Sequence, residues 1–444
     1  MESKKVLEHV ERDKIEFITL QFTDLLGVIK EVIIPVEKLN DALADGAWFD
    51  GSSIEGFARI QESDLFLKPV PETYAPIPWL TEDGKTARLI CDIYRADGKP
   101  FEGDPRYILK QAAAKAAAQG YQYNVGPEPE FYLFTTEADG IGTPIPIDRD
   151  SYFDLSSHEG YKVIKRIIAA LESFGINVEA SHHEVGFGQY EIDLRYGHCL
   201  DIADKVVTLK YTAKKVAQMH NLHATFMPKP IMDKAGSGMH THQSLFNIET
   251  KTNVFYDKDD QYSLSRIAYN FIAGQIKHIN ALCAVLCPTV NSYKRLVSGF
   301  EAPVYVTWAA MNRSALVRVP KWFRQRKEAA RIELRCPDPC CNPYLAFAVM
   351  LQAGMDGIKN NLTPPEPVEE NVYQLDGESL VEKNISVLPT SLQQALDELK
   401  KDKLIRDVLG EHLFERYVDV KTKEWYEFKK QVTNWEIETY LDIF

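Results

Sequence analysis

The sequence predicts an α+β protein with two domains, a small mixed domain over residues 1–103 and a larger domain over residues 104–444. Period-two segments, which are typical of strands, dominate the first hundred residues, with one helical segment between them. After residue 104, short strand-like segments alternate with longer helical ones, which favours one large, mainly antiparallel sheet with helices around it. The turn-rich segment RADGKPFEGDP separates the two patterns, and we place the boundary near Gly103.

The elements of the small domain follow from its alternation of apolar and polar residues. The segments EFITLQFTD, LLGVIKEVIIP and, after the turn TEDGKT, TARLICDIY are predicted as strands. The segment VEKLNDALADG is predicted as a short helix that ends at a glycine.

The large domain begins with a well-delimited helix. Asp104 is a suitable N-cap, Pro105 lies in the first turn, and Gly120 ends the helix after an alanine-rich body. Further helices are predicted at about 159–174, 202–220, 262–283, 342–359, 391–409 and 422–442. The segments between them are short and period-two: NVEAS, GQYEIDLRY, HATFMPKP, GMHTHQSLF, YVTWAAMN, ALVRVP and RIELRC.

The composition excludes several kinds of protein. A formal net charge of −13 argues against binding to a nucleic-acid backbone, which requires a basic surface. The first residues, MESKKVLEHVERDK, carry no apolar segment of the signal-peptide kind, and no apolar run is long enough to cross a bilayer. We therefore expect a cytoplasmic protein that binds neither nucleic acid nor membrane.

The seven cysteines are an odd number in a chain without an export signal, which favours reduced thiols. The segment CPDPCC suggests a zinc site, but the sequence has no second CxxC-type pair and no histidine at zinc-finger spacing. We therefore interpret the cysteines as structural.

The segment NVGPEPEFYL carries two acidic residues on an otherwise apolar, strand-like background. Residues two apart on a strand point to the same face, so Glu128 and Glu130 lie side by side. Two carboxylates held so close repel each other unless one is protonated or a cation lies between them.

Three further strand-like segments also combine a charged face with an apolar face. The charged or polar residues are Glu191, Asp193 and Arg195, then Arg331, Glu333 and Arg335, then His240, His242 and Ser244. The solvated face of a half-exposed sheet would explain any one of these strands. Together they are mostly Glu, His and Arg, which predicts a site for a hard divalent cation beside an anionic substrate. The cation would relieve the repulsion between the paired glutamates.

A group of arginines follows, near the glycine-containing loop that holds Glu301. Arg295, Arg313 and Arg318 lie within 24 residues and are either surface charges or clamps for a transferred phosphoryl group. Nucleotide use is therefore plausible, although the sequence contains no Walker P-loop. No motif for a dinucleotide cofactor or for a Ser/His nucleophile is present either.

Eight ordered blocks of the sequence resemble type I glutamine synthetase, of the short Gram-positive-like or archaeal branch. They are DGSSIEGF, GPEPEF, ASHHEV with GQYEID, HATFMPKP, GSGMHTHQS, NSYKRL with FEAP, NRS, and RIELRCPDP with NPYLA. The resemblance runs from about residue 15 to the C-terminus. It implies an N-terminal β-grasp domain, a catalytic domain with a large curved antiparallel sheet, and a homo-dodecamer of two stacked hexameric rings with active sites between subunits.

The resemblance also implies a set of metal ligands, for two Mg²⁺ or Mn²⁺ ions per site. One ion would be bound by Glu130, Glu184 and Glu191. The other would be bound by Glu128, His240 and Glu333.

The remaining site residues are assigned in the same way. Glutamate and the phosphoryl group would be held by Gly236, His240, Arg295, Arg313 and Arg335. The nucleotide would be held by Glu179, Ser244, Arg318 and Arg331. Asp50 would enter the neighbouring subunit's site to bind ammonium and take its proton, and Glu301 would lie on a flap over the intermediate.

The implied reaction is the ligation of ammonia to glutamate with ATP as co-substrate. ATP phosphorylates the γ-carboxylate of glutamate, and ammonia then displaces phosphate to give glutamine. The alternatives are a related γ-glutamyl-amine ligase and an inactive structural or regulatory relative. The presence of Asp50 and Glu301 favours ammonia, because relatives that use amines tend to lose the ammonium-site carboxylates.

Some positions depart from the family pattern or concern its regulation. Ala235 replaces an amide that normally helps to fix the substrate, and segment 321–330 is longer and more basic than usual. Arg59 resembles a feedback-linked arginine, whereas Tyr373 aligns near a tyrosine that other branches adenylylate and is interpreted as an ordinary surface residue. Nitrogen-regulatory protein partners are possible.

Overall fold

The computed structural model describes residues 3–54, 63–80, 84–137, 142–155, 159–300, 302–310, 312–323, 326–370, 372–374, 380, 382–383 and 385–444. Arg59 and Glu301, to which the sequence assigns roles, lie outside the described residues.

The N-terminal part forms a six-stranded mixed sheet with helices against it. Its elements are α1 (Ser3–Asp13), β1 (Phe17–Thr23), β2 (Ile29–Pro35), α2 (Leu39–Asp45), β3 (Ala47–Asp50), β4 (Asp64–Pro69), β5 (Ala75–Pro76) and β6 (Thr86–Arg95). The strand order is β2-β1-β6-β4-β3, with β5 also on β6, and only the β1–β6 pair is parallel among the described strands. The segments predicted as strands from their alternation, β1 and β6, form the central parallel pair. Their apolar side chains form a separate small core with those of α1 and α2.

The C-terminal part contains a ten-stranded sheet. Its strands are β7 (Tyr121–Thr136), β8 (Gly142–Pro146), β9 (Val178–His183), β10 (Gln189–Leu194), β11 (Gly197–His198), β12 (Leu222–Thr225), β13 (Met239–Asn247), β14 (Trp308–Ala309), β15 (Val317–Arg318) and β16 (Ile332–Leu334). Their order is β14-β15-β16-β13-β7-β10-β9, and β8, β11 and β12 also pair with β7. Only the β14–β15 pair is parallel among the strands that the structure describes, as predicted for a mainly antiparallel sheet.

The helices of this part pack on the sheet and on one another. They are α3 (Pro105–Ala117), α4 (Glu159–Ser173), α5 (Cys199–Met219), α6 (Arg266–Leu286), α7 (Ser292–Arg295), α8 (Pro343–Lys359), α9 (Leu392–Lys401), α10 (Lys403–Leu409), α11 (Glu411–Lys429) and α12 (Asn434–Tyr440). The most apolar of them, α6 and α8, pack against each other and are buried along most of their length. Among the described residues, no helix is both long and apolar enough to cross a membrane.

Three helix predictions need correction. The N-terminal helix α1 was not predicted, because its sequence is mainly charged and it buries two apolar residues, Val6 and Val10. The helix predicted at 391–409 is two helices, since the Asp402 side chain accepts a hydrogen bond from Ile405 N and caps a second one. The helix predicted at 422–442 begins at Glu411 and breaks after Lys429, where Thr433 starts α12 with a capping box.

A buried histidine joins three of these helices and makes stability depend on pH. His278 of α6 forms a 2.6 Å contact from Nδ1 to Asp402 and a 3.2 Å contact from Nε2 to Asp356. Burial alone would lower the pKa of His278, but its two carboxylate partners raise it above the ordinary value. Because the pKa is higher in the folded chain, charged His278 stabilises the fold fully below its unfolded pKa of about 6.5, and this contribution is lost as pH rises through the folded pKa.

The substitution His278→Asn is therefore expected to destabilise the protein more at pH 6 than at pH 9. We expect a loss of about 1–3 kcal/mol at pH 6, since two partly buried carboxylates lose their cation. Thermal melts across this pH range measure it, with His220→Asn at the end of α5 as control. An equal loss at both pH values would contradict the assignment.

Candidate active site

The register of the central sheet brings the charged strand residues together. The antiparallel pair β7–β13 places Glu128 opposite His240, and the pair β7–β10 places Glu130 opposite Glu191. Farther along the sheet, Glu333 of β16 lies opposite both His242 and Arg318. Directly opposed residues of an antiparallel pair have Cβ atoms about 5 Å apart, so these side chains meet on one face.

These side chains line a cavity of about 610 Å³, which we call the carboxylate cavity. Eleven of the predicted site residues line it: Glu128, Glu130, Glu184, Glu191, Gly236, His240, Arg295, Arg313, Arg318, Glu333 and Arg335. Asp50 does not line it and is exposed on β3 of the small domain.

The acidic and imidazole groups of the carboxylate cavity form three overlapping sets of closely spaced donor atoms. Within each set all donor atoms lie within 4.8 Å of one another. The sets are Glu128, His240 and Glu333; Glu130, Glu191 and His240; and His182, Glu184 and Glu191. The predicted set around Glu128 is therefore brought together as such, whereas the predicted set of Glu130, Glu184 and Glu191 is spread over two groups that share Glu191.

Neighbouring groups fix the orientation of the central carboxylate. Oε2 of Glu130 accepts hydrogen bonds from Gln189 Nε2 at 2.9 Å and from Gly238 N at 3.0 Å, which leaves Oε1 to face His240 at 3.8 Å. Burial raises the pKa of Glu130, and Arg295 limits the rise to about 7. Burial and the adjacent Glu130 raise the pKa of Glu191 well above its usual range. Crowded carboxylates without a cation thus favour protonation.

On the other side of the cavity the balance of charge is reversed. Arg318 Nη1 contacts one oxygen of Glu333 at 2.8 Å, and Arg335 donates to the other oxygen. Burial alone would raise the pKa of Glu333, but Arg335 and the two histidines hold it at about 2. Burial, together with Arg335, lowers the pKa of His240 well below its usual range, so its imidazole is neutral at pH 7 and able to bind a metal.

The donor set fits hard divalent cations. Glu333 and four further glutamates supply carboxylate oxygens, and His240 supplies one imidazole, which is the ligand chemistry of Mg²⁺ and Mn²⁺; the four are Glu128, Glu130, Glu184 and Glu191. A divalent cation would also remove the repulsion that raises the carboxylate pKa values.

Two glycines are required by the close packing around Arg295. A Cβ atom on Gly236 would lie 2.6 Å from Pro228 O, and one on Gly238 would lie 2.5 Å from Arg295 Nη2 and 3.0 Å from His240 Nε2. Real Cβ atoms do not approach other atoms so closely, so both positions require glycine.

A second cavity of about 810 Å³ adjoins the first and shares Glu128 and Asp193 with it. Three of the predicted site residues line it: Glu179, Ser244 and Arg331. The long segment 321–330 adds aromatic side chains, because Trp322 and Phe323 also line this cavity. Phe323 is 75% exposed, and the indole Nε1 of Trp322 is buried without a hydrogen-bond partner among the described residues. We call this space the aromatic cavity.

Sequence reasoning selected neither His182 nor Gln189, and it placed His242 on a charged strand face without giving it a role. His182 Nε2 lies 3.4 Å from Glu184 and 3.7 Å from Glu191. His242 Nε2 contacts Glu128 at 2.7 Å, and its Nδ1 accepts a hydrogen bond from Arg331. Gln189 orients Glu130 as described above. The period-two rule could have found His182, which lies near the end of β9, two residues before Glu184.

The crowded carboxylates predict that a variant lacking one of them is more stable than the wild type without metal, but gains less stability when metal binds. We expect Glu191→Gln to raise the melting temperature of the metal-free protein at pH 7 by about 2–4 °C, equivalent to ~1 kcal/mol, because the wild type must either protonate Glu191 on folding or bury a repelling charge, and glutamine requires neither. In excess Mg²⁺ the wild type gains more stability than the variant, since it binds the ion more tightly. Thermal melts with EDTA and with Mg²⁺ measure both effects, and the exposed Glu172→Gln is the control. If Glu191→Gln melted at a lower temperature than the wild type in EDTA, the proposed repulsion between the carboxylates would be contradicted.

The fold and the two cavities define a class of enzyme. An acid-lined cavity with arginines, joined to a second cavity large enough for a nucleotide, is the arrangement of a metal-dependent phosphoryl-transfer enzyme.

Comparison with known proteins specifies the family. The family profile described as "Glutamine synthetase, catalytic domain" matches residues 102–440, and "Glutamine synthetase, beta-Grasp domain" matches residues 14–96. This chain belongs to the glutamine synthetase family, so the predicted resemblance and α+β fold class are confirmed.

Individual relatives agree along nearly the whole chain. A glutamine synthetase of Thermotoga maritima is 51% identical and covers 97% of this chain and 98% of its own. Those of Clostridium saccharobutylicum and Methanosarcina mazei are each 48% identical, over 98% and 99% of this chain and 98% and 97% of their own. Among solved structures, one described as "Apo GmaS without ligand" superposes with a TM-score of 0.87 at 33% identity, over 98% of this chain and 99% of its own.

Proposed function

We propose that this protein is a glutamate–ammonia ligase, which makes glutamine, ADP and phosphate from glutamate, ammonium and ATP. The observation that carries the proposal is the convergence of four glutamates, His240 and Arg335 in one cavity that opens beside a nucleotide-sized cavity. Family membership and the names of the curated relatives support the same reaction. No observation favours an amine as the acceptor or a loss of activity.

Two divalent ions per site are proposed, with His240 between them. Glu128, His240 and Glu333 would hold one ion, and Glu130, Glu184 and Glu191 would hold the other. His182 would assist at Glu184 and Glu191, which it already contacts. When bound, such ions neutralise nucleotide phosphates and orient the transferred phosphoryl group.

The arginines are proposed to bind glutamate and the phosphoryl group. Arg295 is buried and anchored by hydrogen bonds from its guanidinium to the carbonyls of Arg335 and Cys336, so its position is fixed before substrate arrives. Gly236 lies against its side chain and leaves room for an amino acid. Arg335 and the exposed Arg313 line the same cavity and would stabilise the charge that develops during phosphoryl transfer.

The aromatic cavity is proposed as the nucleotide site. Glu179, Ser244 and Arg331 line it, whereas Arg318 lines the adjoining carboxylate cavity, where the terminal phosphates would lie. A structural relative is described as a complex of GmaS with ADP, which supports nucleotide binding at a cavity of this kind.

Phe323 is expected to stack on the base of the nucleotide, since it is an exposed aromatic residue at the edge of this cavity. We expect Phe323→Ala to raise KM for ATP by about 5–30-fold, the loss of one stacking contact worth ~1–2 kcal/mol, with little change in KM for glutamate. Steady-state kinetics with each substrate varied test this prediction. Phe323→Trp is the matched variant that should retain tight binding, and an unchanged KM for ATP in Phe323→Ala would contradict it.

The active site is proposed to lie between subunits of a homo-dodecamer. Asp50 is exposed and does not line the carboxylate cavity of its own chain, so it is available to a neighbouring subunit. Ser52 and Ser53 donate hydrogen bonds to its carboxylate and lower its pKa, which keeps it ionised for binding ammonium and taking a proton. Glu301 retains its proposed place on a flap. The C-terminal residues expose several large apolar side chains, which supports self-association: Trp435, Leu441, Ile443 and Phe444.

The decisive experiment is a steady-state assay with glutamate, ATP and one nitrogen donor at a time. Ammonium is expected to give the highest turnover, and phosphate release should require both glutamate and ammonium. Faster turnover with ethanolamine or putrescine would replace the proposal with an amine ligase, and phosphate release without ammonium would remove it.

Three further proposals concern the whole protein. The domain boundary is proposed near Gly103, and the two family profiles match residues 14–96 and 102–440. The protein acts in the cytoplasm. Its activity is open to control by nitrogen-regulatory partners.

A further inference from the structure

Three cysteines meet in the core of the large domain, behind the active site. Cys283 and Cys287 lie one turn apart at the end of α6, and Cys336 follows β16 directly. The three sulfur atoms lie within 4.8 Å of one another, and all three residues are fully buried. They line neither the carboxylate cavity nor the aromatic cavity. The segment CPDPCC has no second cysteine pair near it in the sequence. In the fold, Cys283 and Cys287, about 50 residues earlier, form that pair.

A buried carboxylate lies beside this cluster. Asp338 is fully buried, and its Oδ2 has no hydrogen-bond partner among the described residues. Its backbone N–H donates to Leu286 O at 3.0 Å, which attaches it to the turn of α6 that carries Cys287. Cys287 Sγ in turn donates to Cys336 O at 3.2 Å. Oδ1 of Asp338 accepts a hydrogen bond from Cys340 N at 2.9 Å, so Oδ2 is the oxygen left for a ligand, and a buried oxygen without a partner costs free energy.

We propose that Cys283, Cys287 and Cys336 form a binding site for one Zn²⁺ ion, with the fourth position assigned to Oδ2 of the buried Asp338, two residues after Cys336. Zinc binds thiolate sulfur at about 2.3 Å, so three sulfurs around one ion lie about 3.8–4.0 Å apart, which the observed spacing reaches with little movement. Zinc binds thiolates, so each sulfur that is still a thiol gives up its proton when the ion binds. The hard cations of the carboxylate cavity do not compete, because they prefer oxygen ligands.

The surrounding charges favour this ion. Three thiolates, the Asp338 carboxylate and one Zn²⁺ carry a net charge of −2, and the guanidinium of Arg295 donates to Cys336 O at 2.8 Å. Burial alone would raise the pKa of Cys336, but hydrogen bonds from Cys283 and Cys287 and the charge of Arg295 lower it. Arg295 also lines the carboxylate cavity. A zinc ion bound to Cys336 would fix the Cys336 carbonyl, and this carbonyl positions the Arg295 guanidinium.

Metal counting and cobalt spectroscopy test the site. Because the cluster is buried, the ion must enter as the chain folds, so the full-length protein is expressed with Zn²⁺ or Co²⁺ in the medium. It is then dialysed against EDTA and returned to Mg²⁺. We expect one zinc or cobalt ion retained per chain and an intense near-ultraviolet sulfur-to-cobalt charge-transfer band, which carboxylate and imidazole ligands do not give. Absence of both from the wild type would overturn the proposal.

Variants identify the ligands. Cys336→Ala and Cys283→Ala are expected to lose the retained ion and the band, whereas Cys199→Ala, equally buried but outside the cluster, retains both. If Cys336→Ala fails to fold, Cys283→Ala decides. A band that persists in these variants would overturn the assignment. So would fewer than seven reactive thiols in the denatured, metal-free wild type, because a disulfide would then occupy the cluster.

The link to substrate has its own readout. Loss of zinc is expected to raise KM for glutamate through the displacement of Arg295, with kcat less affected. This part rests on the proposed function, whereas the metal count and the cobalt band do not. The two can therefore fail separately.

Discussion

Glu130→Ala is expected to abolish ATP-dependent glutamine formation, by about 10³-fold or more, with either Mg²⁺ or Mn²⁺. Glu130 lies at the centre of the donor groups, opposite Glu191 in the register and 3.8 Å from His240. The substitution would also remove the carboxylate that accepts a hydrogen bond from the side-chain amide of Gln189. Both effects remove ligands or their supports, so a change of metal cannot restore activity.

The loss must be separated from misfolding. We expect the melting temperature of metal-free Glu130→Ala to equal or exceed that of wild type, because a buried repelling charge has been removed. Manganese binding followed by electron paramagnetic resonance should show weaker uptake by the variant and unchanged uptake by Glu172→Ala, whose side chain lies on the exposed face of α4. Activity within tenfold of wild type would show that Glu130 is not a ligand, since even outer residues of metal sites cost 10–100-fold.

Asp50→Ala is expected to have the second largest effect, and on only one half of the reaction. Amide formation should fall by about 10²–10³-fold, because ammonium loses the carboxylate that binds and deprotonates it. Formation of the acyl phosphate should change little, since Asp50 lies outside the carboxylate cavity of its own chain. Rapid-quench measurement of the two partial reactions tests the split. Equal loss of both would remove Asp50 from this role.

Mixing two inactive variants tests whether the site is shared between subunits. When Asp50→Ala and Glu130→Ala chains are co-assembled in equal amounts, about one site in four combines an intact cavity with an intact neighbouring Asp50. Activity should therefore recover to about a quarter of the wild-type value. Wild-type chains mixed with an Asp50→Ala and Glu130→Ala double variant are the control. No recovery in a mixed assembly would indicate a site contained within one chain.

The chemistry of the site could be predicted from the sequence, because each strand carries its own face pattern. Glu128 and Glu130, or Arg331 and Glu333, had to point the same way once each segment was extended. Their partners across the sheet could not be predicted in this way, since pairing depends on contacts between residues far apart in the chain. That Glu128 lies opposite His240, and Glu333 opposite Arg318, is a property of the folded sheet.

The residues missed by sequence reasoning were missed for related reasons. The spacing of His182 to Glu184 indicates that the two side chains point the same way. His182 was not selected, because the family resemblance implied carboxylate ligands alone for the ion at Glu184. The cysteine cluster depends on the packing of α6 against the segment after β16, which no local spacing reports. Helix α1 and the break after Lys429 depend on a few buried positions and a capping box.

Strand β7 pairs with five other strands and carries both central glutamates. A slip of one residue in any of its pairings would turn the acidic face toward the apolar core. Recovery of catalysis after denaturation is thus a late event, dependent on long-range pairings that form more slowly than helices. Enzymatic turnover is consequently a stricter criterion of correct refolding than recovered helix content.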